Sequence, residues 1–158
     1  WKFFRRFINL VGRLPQNSKI YCLGARQGTE VEVLRELGFC NALGLDLNPG
    51  PRNPLVLPAD FMHLPLADGS CDLIYTNCVD HIPRLTEFLA EQRRVLRRDG
   101  FLLLDITLQT DAGIFEAAAW DRAEQILISA LGHFDRLVIA KREKQWLWTL
   151  LSHPRKKA

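Results

Sequence analysis

The chain has 158 residues, which is the length of one ordinary domain and leaves no room for two of full size. Apolar residues make up 47% and charged residues 25%, a globular composition that excludes a disordered or collagen-like chain. The net charge is only +3, and the one compact basic cluster is Arg155, Lys156 and Lys157 at the end of the chain. Composition and charge therefore give no strong signal for nucleic-acid binding.

The first 18 residues predict an amphipathic helix followed by a linker. Phe3, Phe7 and Val11 recur at helical spacing over residues 1–14, and lysine and arginine residues lie between them. Such a helix is typical of a membrane-surface or partner contact, and equally of a helix that packs on the sheet of its own domain. We favour packing on the sheet, which is the commoner arrangement in small domains. Residues 15–18 break the pattern, so we place the domain itself at 19–158.

The first half of that domain alternates short apolar runs with one helical pattern. The helix is predicted over 29–37, with a capping box formed by Thr29 and Glu32 and a stop at Gly38. The strands of this half are predicted over 20–23, 42–47, 55–59 and 72–76.

The second half continues the alternation and ends in two strands. A helix begins near Pro83 and ends at Asp99-Gly100, a strand follows over 101–106, and a second helix covers 114–131 and closes at Gly132. The last strands, over 136–140 and 146–151, are too close together for a parallel crossover, so we expect an antiparallel hairpin. The pattern predicts one α/β domain of the Rossmann-like, doubly wound class, with a mostly parallel sheet of seven strands and an antiparallel last hairpin.

The cysteines and histidines show no metal-ligand spacing. The four cysteines stand at 22, 40, 71 and 78, without a Cys-x-x-Cys pair and without a matching histidine pattern, so we expect no metal site. Three of them lie in or beside apolar runs, which favours a reducing, intracellular compartment. Because the chain begins with Trp1 rather than Met, we expect a processed or excised domain, and any upstream targeting or anchoring segment would lie outside this sequence.

The turn after the first strand and the end of the second strand predict a nucleotide-type site. Glycines stand at Gly24 and Gly28 in a turn that leads into a helix, and Asp46 follows Gly28 by 18 residues. In an open α/β sheet, ligands bind beyond the carboxyl ends of the strands, where a spaced carboxylate accepts hydrogen bonds from a ribose diol. Each feature alone also fits a tight turn or a capping aspartate. The combination is much more specific.

The ends of the third and fourth strands carry a family resemblance. Asp60 is the first residue of the motif Asp-x-x-x-Leu-Pro-x-x-Asp-x-Ser-x-Asp, and a strand ending in Tyr75-Thr76-Asn77 follows this motif. Together with the glycine turn and Asp46, this order resembles the class I S-adenosylmethionine-dependent methyltransferases, in particular the type 11 branch. The resemblance covers about residues 19–151. The wording Leu-Gly-Ala-Arg-x-Gly-Thr-Glu is also similar to that of methyltransferase-like plant and algal proteins.

The resemblance implies that S-adenosylmethionine is the cofactor and that ten residues hold it. Those expected to face its methionine part are Gly24, Ala25, Arg26 and Gly28. Those expected at its adenosine are Asp46 on the ribose hydroxyls, Leu47 and Phe61 against the adenine, and Asp60 on the adenine amino group. Those expected to line the floor beneath the sulfonium are Thr76 and Asn77.

Two positions depart from the family pattern. Cys22 stands where these families usually carry an acid, and Arg26 stands where they usually carry the middle glycine. An Arg26 side chain that points inward would fill the space of the methionine moiety, whereas one that turns along the loop would bind the cofactor's carboxylate. We favour the second arrangement. For a proton-accepting base, the candidates just past the fourth strand are Asp80 and His81, with a loop histidine of no catalytic role as the alternative.

Three functions remain open from the sequence. The first is a methyltransferase that acts on an unidentified acceptor, which we expect to be a small molecule. The second is a catalytically silent methyltransferase-like domain used for binding or for assembly with a partner. The third is a nicotinamide-dependent oxidoreductase, which the Asp60 wording and the antiparallel hairpin disfavour.

Overall fold

The computed structural model of the chain describes residues 14–108 and 117–154. The helix predicted over 1–14 lies outside the described residues, except for Leu14. The first residues of the helix predicted from Ile114 also lie outside them, as does the basic cluster at 155–157.

Within residues 14–108 and 117–154, seven strands form one mixed sheet, and three helices and a short 3₁₀ turn connect them. The strands are β1 (Ile20–Leu23), β2 (Ala42–Asp46), β3 (Val56–Pro58), β4 (Cys71–Thr76), β5 (Leu96–Thr107), β6 (Phe134–Glu143) and β7 (Trp146–Pro154). The helices are α1 (Thr29–Glu36), α2 (Leu85–Val95) and α3 (Ala123–Leu131), and the 3₁₀ turn is Val79–His81.

The strand order is β3-β2-β1-β4-β5-β7-β6. The first five strands run parallel, and β7 lies antiparallel to both β5 and β6. The predicted fold class is confirmed, including the antiparallel last hairpin. Since the chain leaves β1 on one side for β2 and returns on the other side for β4, the direction of winding changes at β1.

Each face of the sheet carries its own hydrophobic core. On one face Val31 and Leu34 of α1 pack with Ile20 of β1, and all three side chains are fully buried. On the other face Phe88 of α2 and Ile126 of α3 pack in a second cluster. Both clusters draw on alternate residues of the central strands, and this burial on two faces explains the nearly continuous apolar runs.

The start of α1 differs from the predicted capping box. The N-cap is Gly28, which has φ +85° and leaves no side-chain cap, so Thr29 is already inside the helix. A Cβ at Gly28 would lie 2.8 Å from the Cβ of Leu55, so this turn needs a glycine on steric as well as conformational grounds. The predicted stop is confirmed, because Gly38 has φ +96° and its N–H donates to the carbonyl of Arg35.

Helix α2 ends at Val95, earlier than the predicted end at Asp99-Gly100. The reason is a pair of long-range hydrogen bonds: the N–H groups of Gly69 and Ser70 donate to the carbonyls of Arg94 and Val95. The following residues join β5 as a bulge opposite the start of β4.

Helix α3 is also shorter than predicted, and it begins at Ala123. The preceding described segment attaches instead to the 3₁₀ turn. The N–H groups of Ala117 and Ala118 both donate to the carbonyl of Asp80, and the indole N–H of Trp120 donates to the carbonyl of Val79. These bonds hold the segment against the end of β4 in a non-helical path.

Candidate active site

A cleft of about 660 Å³ opens beyond the carboxyl ends of β1, β2 and β4. This is where the winding direction changes, the usual place for a ligand in a sheet of this class. Of the twelve residues proposed from the sequence, eight line the cleft: Gly24, Ala25, Arg26, Asp46, Leu47, Phe61, Asn77 and His81. The other four, which lie outside its lining, are Gly28, Asp60, Thr76 and Asp80.

Gly24 begins the turn that forms the floor of the cleft. Its N–H donates to the carbonyl of Leu45 at 2.8 Å, which holds the turn against β2. Its φ is +67°, and a Cβ at this position would come within 2.5 Å of the Sγ of Cys78. Only glycine fits both the backbone conformation and the space, so the turn can pass close to the end of β4.

Arg26 occupies the middle of the turn with a left-handed backbone, at φ +48°. Its N–H points at Asp46 and donates to Oδ2 at 2.9 Å, and its carbonyl accepts from the side chain of Asn53 at 3.2 Å. The Arg26 side chain is exposed and lies on the lining of the cleft. Holding a non-glycine residue in this conformation costs about 1–3 kcal/mol, and the two hydrogen bonds offset part of that cost.

Asp46 ends β2 with a carboxylate that two backbone groups hold in place. Its Oδ2 accepts from the N–H of Arg26, and its Oδ1 accepts from the N–H of Asn48 at 2.8 Å. Each carboxylate oxygen has a second lone pair, so a diol can still bind. Next to it, the side chain of Leu47 is 71% exposed and lies on the lining of the cleft, where a flat apolar group can pack against it.

The side chains of Asp60 and Phe61, which follow β3, have different surroundings. Phe61 lines the cleft and packs edge-on against Phe88, with ring centroids 5.8 Å apart. The carboxylate of Asp60 is used within its own turn, where Oδ1 accepts from the N–H of Met62 at 2.8 Å and Oδ2 lies 3.6 Å from Nδ1 of His63.

The end of β4 supplies a support and a lining residue. Thr76 is buried, and its hydroxyl donates to the carbonyl of Leu23 and accepts from the N–H of Cys78. Asn77 is exposed on the lining of the cleft. Beside it, burial raises the pKa of the Cys78 thiol to about 12, and nearby carboxylates add to the shift, so the thiol is neutral near pH 7.

His81 and Asp80 lie at the far side of the cleft, in the 3₁₀ turn. His81 lines the cleft, and its Nε2 lies 3.9 Å from Oδ1 of Asp80. That oxygen is buried and has no hydrogen-bond partner among residues 14–108 and 117–154. The position of Asp80 suits it to stabilise a positively charged imidazole on its neighbour.

The structure adds five lining residues that the sequence interpretation missed: Gln27, Thr29, Glu30, Asn48 and Cys78. Glu30 matters most because it is charged. It stands in the first turn of α1, where an acid is common for helix stability alone, and no spacing rule distinguished it. Its place directly after the glycine turn was the signal that could have found it.

Two further classes of site are absent from the described part of the chain. Within residues 14–108 and 117–154, no three His, Cys, Asp or Glu side chains are grouped so that they could hold a metal ion. None of the helices in these ranges has the length and the apolar composition that a membrane crossing requires.

A sequence profile described as a methyltransferase domain, of type 11, matches residues 21–104, just over half of the chain. The chain belongs to this methyltransferase family. The matched region contains every residue that lines the cleft, from Gly24 in the glycine turn to His81 in the 3₁₀ turn. A comparison with curated proteins found no match.

Solved methyltransferase structures share the fold at low sequence identity. One is the 1,6-didemethyltoxoflavin-N1-methyltransferase of Burkholderia thailandensis with bound 1,6-didemethyltoxoflavin and S-adenosylhomocysteine (16% identity, 96% of this chain and 76% of that chain, TM-score 0.73). Another is the geranyl diphosphate C-methyltransferase of Streptomyces coelicolor with Mg²⁺, geranyl diphosphate and S-adenosyl-L-homocysteine (10% identity, 98% of this chain and 80% of that chain, TM-score 0.75). A third is an S-adenosylmethionine-dependent methyltransferase of Aquifex aeolicus (15% identity, 94% of this chain and 89% of that chain, TM-score 0.67).

Proposed function

We propose that this member of the family binds S-adenosylmethionine in the cleft and transfers its methyl group to a small-molecule acceptor. One observation carries the proposal: the Asp46 carboxylate is held at the edge of the cleft by an N–H of the glycine turn and keeps free lone pairs. A carboxylate that only capped its own turn would not need the bond from Arg26, 20 residues away. The arrangement suits recognition of a ribose diol.

The residues present fit this cofactor. Asp46 would hold the ribose hydroxyls, and Leu47 and Phe61 would enclose the adenine ring. Gly24 lets the turn pass close against Cys78 at the end of β4, and the turn from Gly24 to Gln27 lines the cleft, so an extended amino-acid moiety can lie against its backbone. When bound, S-adenosylmethionine supplies a methyl group on a positively charged sulfur.

Four residues named in the sequence analysis would act on the site from outside the lining. Gly28 packs the start of α1 against β3, Thr76 ties the ends of β1 and β4 together, and Asp60 shapes the turn that presents Phe61. Asp80 would stabilise the charge on His81 if that histidine takes a proton. We expect these four residues to position the lining rather than to touch the cofactor.

Two structural neighbours and the cleft itself support a small-molecule acceptor. The two neighbours act on small molecules, 1,6-didemethyltoxoflavin and geranyl diphosphate. His81 lines the cleft just past the end of β4, on the side away from Leu47 and Asn48. It is therefore placed to accept a proton from an acceptor whose nucleophilic atom must lose one before or during attack.

Thermal unfolding with candidate ligands tests the proposal. S-adenosylhomocysteine should stabilise the chain, by about 2.7 kcal/mol at a ligand concentration of one hundred times its dissociation constant, and NAD should not. Stabilisation by NAD alone would support an oxidoreductase. A folded chain that responds to neither ligand would support the catalytically silent domain.

A further inference from the structure

The cleft contains two carboxylates, and only one of them has its oxygens occupied. Among the described residues that line the cleft, Asp46 and Glu30 are the acids. Both oxygens of Asp46 accept backbone N–H groups. Glu30 forms no ion pair and accepts no side-chain hydrogen bond within residues 14–108 and 117–154. Its carboxylate interacts with its own backbone N–H.

The surroundings of Glu30 disfavour its ionised carboxyl as long as no cation pairs with it. Its side chain is half-buried, and desolvation raises the pKa of its carboxyl above the ordinary value. Its charge also raises the pKa of the Cys22 and Cys78 thiols, which places the carboxylate near the ends of β1 and β4. A desolvated carboxylate without a cation is stabilised most by a cation that enters the cleft.

The charges of the turn are arranged for a particular kind of ligand. Arg26 and Glu30 both line the cleft and stand on either side of Gly28 in the sequence. A guanidinium binds a carboxylate, and a carboxylate binds an ammonium group, so the pair complements the zwitterion of an α-amino acid. Leu47 and Asn48 lie at the other side of the cleft, at the end of β2, away from β4.

We propose that Glu30 binds the ammonium group of the cofactor's amino-acid moiety, an inference that rests on the proposed function. It also accounts for Cys22. That residue is 1% exposed and does not line the cleft, so it cannot contact a ligand. An acid at position 22 would add a second buried charge close to Glu30, and the two would repel each other. The anionic group of this cleft therefore stands on α1 instead of on β1.

Calorimetric binding of two ligands tests the assignment. S-adenosylhomocysteine carries the amino-acid moiety, whereas 5′-methylthioadenosine has the same adenosine and thioether without it. We expect Glu30→Gln to weaken S-adenosylhomocysteine binding about tenfold to a hundredfold and to leave 5′-methylthioadenosine binding unchanged. The matched control is Glu32→Gln, an exposed acid on the same helix that is absent from the lining, and it should change neither affinity.

The outcomes separate this inference from the proposed function. If the parent protein binds neither ligand, the proposed function fails. If both ligands bind and Glu30→Gln changes neither affinity, or weakens both equally, the inference is overturned while the function stands. Should Glu30→Gln fail to fold, Glu30→Asp keeps the charge but withdraws it by one methylene. The same selective loss of S-adenosylhomocysteine binding is then expected, and equal affinities for parent and variant would overturn the inference.

Discussion

Two places in the molecule use carboxylates in opposite ways. In the cleft, Glu30 has no cationic partner among the described residues, and Asp46 keeps free lone pairs. Near the start of β4, Arg94 of α2 is surrounded by Glu91 of the same helix and by Asp68 of the turn before β4, a group we call the Arg94 cluster. All five N–H groups of the Arg94 guanidinium have acceptors there: the two carboxylates and the carbonyls of Leu64 and Leu66.

Free hydrogen-bonding capacity distinguishes the cleft, a candidate binding site, from the Arg94 cluster, which supports the fold. The Arg94 cluster has little capacity left for a ligand, because Glu91 also accepts the N–H of Leu64 at 2.7 Å. Part of the family motif from Asp60 to Asp72 serves this support, because Asp68 and the carbonyls of Leu64 and Leu66 accept from Arg94. Two other members make separate structural bonds: the Ser70 hydroxyl donates to the carbonyl of Ala67, and Asp72 accepts the N–H of Lys19. Unused hydrogen-bonding capacity, rather than the presence of charge, marks the cleft.

The largest expected effect on stability comes from Arg94→Ala. It removes five hydrogen bonds and leaves the half-buried Glu91 without its cation, so we expect a loss of about 3 kcal/mol in the free energy of unfolding. Urea denaturation measures it. Arg98→Ala, an exposed arginine at the start of β5, is the control and should change stability by less than about 0.5 kcal/mol. An Arg94 variant as stable as the control would contradict the structural role.

Asp46→Ala should show the reverse pattern. We expect S-adenosylhomocysteine to bind about tenfold to a hundredfold more weakly, since a charged hydrogen-bond partner is worth about 1.5–3 kcal/mol, while the fold survives. Calorimetry gives the affinity, and the melting temperature without ligand is the control. Unchanged affinity in a folded variant would remove Asp46 from the cofactor site and weaken the contrast between the two places.

These two places also show why part of the structure was predictable. β1, the glycine turn and Asp46 depend on local spacing, and the last hairpin depends on loop length, so the sequence predicted them. The end of α2 depends on Gly69 and Ser70, some 25 residues away, and periodicity contains no information about such a contact. The predicted helix therefore ran on to Asp99.

The lining of the cleft was predictable to a similar extent. Strand ends place Asn77 and Leu47 at the cleft directly. Side-chain direction beyond a strand end is decided by the turn, so Asp60 bonds to its own loop while Phe61 enters the cleft. Glu30 was missed because an acid in a first helical turn has an ordinary explanation, although this acid follows the glycine turn and is half-buried beside the cleft.

Arg26→Ala tests whether the cation of the cleft helps or blocks the ligand. We predict that the variant binds S-adenosylmethionine more weakly, by about 1–3 kcal/mol, because the cofactor's carboxylate would lose its bond to the guanidinium. Alanine keeps a side chain at φ +48°, so the strain of the turn is similar in both proteins. Calorimetry showing tighter binding by the variant would mean that Arg26 fills the pocket, and the silent domain would then become the better proposal.

The pH dependence of stability should differ between parent and Arg94→Ala. The bonds from Arg94 hold the pKa of Glu91 below its ordinary value. The ionised carboxyl therefore stabilises the fold fully above the unfolded pKa of about 4.3, and this contribution is lost as the pH falls through the lower folded value. Urea midpoints between pH 6 and pH 3 should fall more in the parent than in the variant. Parallel curves would show that the pair contributes no pH-dependent stability.

The smallest expected effect concerns two thiols. Cys78 lies in the cleft and Cys71 lies near the Arg94 cluster, so the two places can be compared directly. Burial raises the pKa of Cys71 to about 11 and that of Cys78 to about 12, whereas Cys40 is exposed. Alkylation requires the thiolate, so iodoacetamide at pH 8 should modify Cys40 in the folded chain well before the other two. Peptide mass spectrometry after a timed reaction measures the order. Rapid modification of Cys78, slowed by S-adenosylhomocysteine, would mean that the cleft opens more widely in solution than the contact between its thiol and Gly24 allows.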